Sequence, residues 1–112
     1  MNAAERSRLF RLLGLGVRGR GAVVGVQQVR EAARKNKVHL AVVAADASSN
    51  SLDKIVPLLN ARRIRFIEVP SAAELGVAVG RDHAAVVGIV DRHLALGARQ
   101  VAETSGAIEE DV

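Results

Sequence analysis

The chain has 112 residues, of which 49% are apolar and 25% charged, enough for one hydrophobic core and too apolar for a disordered chain. It has no cysteine, which excludes a disulfide scaffold, a thiol nucleophile and a thiolate metal site, and its only aromatics, Phe10 and Phe66, leave an aliphatic core. All 16 lysines and arginines lie at or before Arg99 and four of the 12 acids lie after it, so residues 1–102 carry +8, a profile that favours a polyanionic partner.

Residues 3–13 place Leu9, Leu12 and Leu13 on one face and predict an amphipathic helix. Residues 14–21 hold four glycines and predict a turn. Gly14-Leu-Gly16-Val-Arg-Gly19 matches the dinucleotide fingerprint, but that motif needs a strand before it and a helix after it. Here the order is reversed, and no cofactor is expected. Residues 22–24 read as a short strand, and Gly25 opens a helix over Val26–Lys35.

Residues 39–45 form a continuous apolar run, the mark of a strand buried on both faces. In the following DASSNS loop, Asn50 is the expected cap of a helix over 51–62, which Pro57 is expected to kink or split. Residues 65–69 alternate as a strand. Ser71 and Glu74 form a capping box for a short helix ending near Gly80. Residues 84–90 give a second buried strand, and Asp91 caps a last helix to about Glu103. The order α-β-α-β-α-β-α-β-α predicts a three-layer α/β/α sandwich around a mixed sheet of about four strands, with strands 40–45 and 84–90 central. Residues 1–102 are expected to form one domain, followed by an acidic, frayed tail over 103–112.

No catalytic constellation stands out. His39, His83 and His93 lack metal-ligand spacing and read as solvated or packed side chains, so no metal is expected. Asp46, Ser48 and Ser49 resemble parts of a triad but lack a nucleophile elbow, and helix capping explains the same residues. No run approaches the ~20 apolar residues that cross a bilayer, and no secretory signal is expected from the arginine-rich residues 1–10. A cytoplasmic monomer without membrane or small-molecule partner is the expectation. With only two aromatics, base stacking on a sheet is excluded as the main mode of RNA recognition.

Five stretches together resemble a known family: residues 25–32, 40–46, 47–51, 64–81 and 84–91. Ala44-x-Asp46-Ala47-Ser48-x-Asn50-Ser51 and Glu74-Leu75-Gly76-x-Ala78-x-Gly80-Arg81 are its most specific segments. Their order is similar to the ribosomal L-seven-Ae / L-thirty-e superfamily, nearest its small bacterial YlxQ-like members. The resemblance implies an α/β/α sandwich and a non-catalytic protein that binds structured, kink-turn-like RNA, with rRNA or the ribosome among its partners.

In that family a G-x-N-E-x-x-K signature opens the second helix, and here its positions are Gly25, Gln27, Gln28 and Glu31. The second contact, V-x-S-K-x-x-L-G, begins here at Val69-Pro70-Ser71, with Ala72 in place of lysine. The resemblance thus assigns RNA contact to Gly25, Gln27, Gln28 and Glu31 and to an apolar shelf at Val69, Pro70 and Ser71. Arg30, Arg34, Lys35 and Lys37, along or just after the same helix, are expected to add phosphate contacts that offset the two missing lysines in part. The competing expectation is a diverged paralogue that acts as a protein-interaction module through an apolar patch at Leu9, Phe10 and Leu13.

Overall fold

The computed structural model describes residues 1–106. Its first helix, α1 (Ala3–Arg18), starts at a capping box: Asn2 Oδ1 accepts from Glu5 N at 2.8 Å, and Asn2 N donates to Glu5 Oε1 at 2.9 Å. Leu9, Leu13 and Gly16 form its buried stripe. The glycine turn predicted from residue 14 therefore begins only at Gly19. A Cβ on Gly14 would lie 2.8 Å from the Ala78 carbonyl oxygen, and one on Gly16 would collide with the Leu94 side chain. These two glycines let α1 approach its neighbouring helices, at a propensity cost of about 1 kcal/mol each.

The remaining elements follow in the predicted order: β1 (Ala22–Val24), α2 (Val26–Arg34), β2 (Leu40–Ala44), α3 (Ser49–Ala61), β3 (Phe66–Val69), α4 (Ala72–Ala78), β4 (Val86–Ile89) and α5 (Arg92–Ser105). Ser48, not Asn50, caps α3, its Oγ accepting from Ser51 N at 3.1 Å. Pro57 lies inside α3 and does not split it. Pro57 and Asp53 are both exposed, so water can replace the donor that the proline denies the Asp53 carbonyl. Asp91 Oδ1 caps α5 by accepting from Leu94 N at 2.8 Å. Glu103, assigned from the sequence to the acidic tail, belongs to α5; Glu109, Glu110 and Asp111 lie outside the described residues.

The sheet order is β1-β4-β2-β3, with β4 antiparallel to both its neighbours and β2 parallel to β3. Every residue of β2 and β4 is buried, as expected of central strands covered on both sides. Leu40, Val42, Val87 and Ile89 face α1, α4 and α5, while Ala41, Val43 and Val86 face α2 and α3. The result is a three-layer α/β/α sandwich with a mixed sheet.

Candidate nucleic-acid interface

Because β1, β2 and β3 run in the same direction, their carboxyl ends share one end of the sheet, where β4 begins. Hydrogen bonds tie the loops there into a row. Gly25 N donates to Val86 O at 2.9 Å, Ala44 N to Ala85 O at 2.9 Å, and Ala45 N to Val69 O at 2.8 Å. Ala84 N donates to Ala72 O at 2.9 Å, and Asp46 Oδ1 accepts from Ala72 N at 2.7 Å. Asp46 therefore caps α4, across the sheet end, rather than the helix that follows it. Sequence reasoning gave it capping chemistry but not this target, since only the fold brings residues 46 and 72 together.

Gly25 stands at φ 97° and ψ 158° as the cap residue of α2. That region of backbone space is almost exclusive to glycine. Nothing lies within 4 Å of where its Cβ would be, so the backbone there is open to an approaching ligand. No side chain caps α2 and no acid lies in its first turn, which leaves its amino end electropositive. Gln27 and Gln28 stand exposed beside it. Strand spacing puts this helix end and the 69–72 loop about 14 Å apart along the sheet end.

The other expected contact residues divide. Val69 is 1% exposed and packs in the core, because strand alternation puts it on the face of Ile67. It cannot supply an apolar shelf; Pro70 is exposed and Ser71 half-buried, with its Oγ accepting from Glu74 N at 3.1 Å. Arg30 is half-buried and its Nη1 donates to the Lys54 carbonyl, so it pins α2 to α3 instead of reaching outward. Glu31 is exposed, and among the described residues it forms no ion pair with Lys35. Arg34 and Lys37 are exposed but lie at the far end of α2, which over nine residues rises about 13 Å. The structure thus groups Gly25, Gln27 and Gln28 with the 69–72 loop and leaves Arg34 and Lys37 at the opposite end. The apolar patch expected on α1 does not form, since Leu9 and Leu13 are wholly buried and Phe10 is partly so.

Residues 8–95 match the family described as Ribosomal protein L7Ae/L30e/S12e/Gadd45. The chain belongs to that family. Within it, the protein is 34% identical over 86 residues to the RNA-binding protein YlxQ of Bacillus subtilis, covering 77% of this chain and 86% of that one. It is 28% identical over 103 residues to the RNA-binding protein YlxQ of Enterococcus faecium, covering 92% and 99%. A solved structure of a protein of unknown function from Bacillus halodurans superposes with a TM-score of 0.78 at 25% identity, over 86% of this chain and 97% of that one. The Giardia lamblia 15.5kD RNA binding protein superposes at 0.79 with 17% identity, over 96% and 93%, and shares the fold. The L7Ae/L30e/S12e/Gadd45 match takes in both Gly25 and the 69–72 loop, as well as the opposite end of α2. Among the described residues, no group of three or more His, Asp or Glu side chains converges on a metal position, and no helix is long and apolar enough to cross a membrane.

Proposed function

We propose that this protein binds structured RNA of the kink-turn kind, with no catalytic step, through the sheet end that carries Gly25 and the 69–72 loop. The observation that carries the reading is Gly25: a glycine-only backbone conformation, with open space beside it, at the uncapped start of a helix. RNA can come close there, and the helix amides and dipole attract a phosphate or a base edge. Gln27 and Gln28 offer donors and acceptors to non-standard base pairs. Pro70 presents the exposed apolar surface of the second loop, which Asp46 holds in place through Ala72 N. The YlxQ relatives, named as RNA-binding proteins, support the choice of RNA. A ribosomal RNA target, a monomeric state and a cytoplasmic setting complete the proposal.

Glu31→Lys tests it. Glu31 is exposed one turn beyond Gln27 and Gln28, and its charge repels phosphate at close range. Lysine there should tighten binding of a kink-turn RNA by about 1–2 kcal/mol, because a repulsion is replaced by an attraction. Folding stability should move by less than about 0.5 kcal/mol, as expected of an exposed charge. Titrations and urea unfolding on the same variant give both numbers. Kink-turn affinity that does not move removes this face of α2 from the contact.

A further inference from the structure

The end of the sheet opposite Gly25 gathers the three helix-to-strand turns that lead into β1, β2 and β3. Each turn presents exposed cations: Arg18 and Arg20 in the first, Lys35 and Lys37 in the second, Arg62 and Arg63 in the third. Segments 18–21, 34–39 and 61–65 contain no acid, and the end of β4, which lies between the first two turns, adds exposed Arg92 and Asp91, whose carboxylate accepts from Leu94 N at the start of α5. Backbone bonds hold the turns in one row. Val90 N donates to Gly21 O at 2.8 Å, His39 N to Ile89 O at 2.8 Å, and Ala41 N to Arg65 O at 3.1 Å. Arg62 Nη1 also joins the second and third turns, donating to Asn36 Oδ1 at 3.0 Å and Arg34 O at 3.2 Å. By strand spacing the row is about 14 Å long.

The four helices α1 to α4 end with the same closure, in which an amide reaches back five residues. Gly21 N bonds Gly16 O, Lys37 N bonds Ala32 O, Ile64 N bonds Leu59 O, and Arg81 N bonds Gly76 O. The residue before each of those amides has positive φ. In α4 it is Gly80, the usual occupant. In the three turns of the row it is Arg20 at 62°, Asn36 at 58° and Arg63 at 56°. Residues with a Cβ adopt this conformation unfavourably. Two arginines therefore occupy positions where glycine would suit the backbone better. Helix dipoles explain Arg18 and Arg34, which lie in last turns, and hydrogen bonding explains Arg62. Neither explains Arg20, Lys37 or Arg63, which follow the helices and stand exposed.

We propose that this row is a second RNA-contacting surface, which grips the phosphate backbone of a duplex without reading its sequence. The planar forks of Arg20 and Arg63 match phosphate oxygens, and Lys37 adds a point charge between them. The inference rests on RNA being the partner, as proposed above, and not on the location of the kink-turn contact.

The test uses the full chain and two probes, a plain RNA duplex of arbitrary sequence and a kink-turn RNA. The combined variant Arg20→Gly, Lys37→Gln, Arg63→Gly should bind the plain duplex at least about tenfold more weakly at 0.1 M salt. Its log–log salt dependence should be shallower by about two to three, one step for each phosphate that no longer meets a cation. Its melting temperature should hold or rise, because glycine suits two of the three positions. Duplex affinity and salt dependence equal to the parent's overturn the proposal, as does a parent that binds no duplex. It is also overturned if the variant loses binding to phosphatidylserine vesicles while RNA binding is unchanged. Gln27→Ala with Gln28→Ala separates the two readings: duplex affinity should not move, and a collapse of duplex binding in that pair also overturns the second surface. Kink-turn affinity unmoved in the same pair overturns the kink-turn contact and leaves the duplex result standing.

Discussion

The two ends of the sheet take their positive-φ steps in different ways. Where β1 turns into α2, the chain takes its positive-φ step at Gly25, and no side chain stands over that position. Where α1, α2 and α3 turn into strands, it takes the step at Arg20, Asn36 and Arg63. One end keeps its backbone bare and the other carries side chains there, two of the three cationic. The difference teaches that glycine and arginine serve distinct kinds of approach: the first lets a partner come to the main chain, the second reaches out to charge at some cost in conformation.

Substituting across that contrast should give effects of opposite sign. The largest is expected for Gly25→Ala. Nothing crowds the new methyl, so the whole penalty is conformational, about 2–3 kcal/mol of stability for a residue forced into a glycine-only region. Urea unfolding measures it, and a loss below about 0.5 kcal/mol means that the turn relaxes to another conformation. Asp46→Ala should be intermediate. It strips the side-chain acceptor from Ala72 N and should cost about 1 kcal/mol, the usual size of a lost helix cap. Kink-turn affinity should fall with it while plain-duplex affinity stays, since the 69–72 loop is at the Gly25 end; equal losses on both RNAs would erase the distinction between the ends. Arg63→Gly should be the smallest and should stabilise, by about 0.5 kcal/mol. Relief of the left-handed strain exceeds, by that margin, the extra chain entropy that glycine loses on folding. Thermal melts compared with the parent read the sign directly.

The sequence made element order legible because the buried strands carry unbroken apolar runs and the helices carry capped, periodic ones. Local pattern failed where a distant residue decided the outcome. Gly14 and Gly16 look like a turn until Ala78 and Leu94 occupy the space beside them. Asn50 and Ser48 are chemically equivalent caps two residues apart, and the structure uses Ser48. Arg30 reads as a free cation because nothing within α2 announces the Lys54 carbonyl. Val69 follows local pattern against the resemblance: the alternation that buries Ile67 also buries it. At the candidate site, the exposed position of Gln27 and Gln28 beside Gly25 follows from the helix that Gly25 opens. The division of the basic residues between two ends needed the sheet order, which no local spacing encodes.

That sheet order also fixes when the candidate site can exist. β4, the last strand in the chain, lies between β1 and β2, so β1 has no strand partner until residues 86–89 are available. Gly25 N in turn finds its acceptor on Val86. At ~5–20 residues per second, synthesis leaves β1 waiting several seconds for that strand. The amino end of α2 is thus assembled late, by the same insertion that completes the sheet. A chain stopped short of β4 lacks the acceptor for Gly25 N and the strand that joins the Gly25 turn to the 69–72 loop.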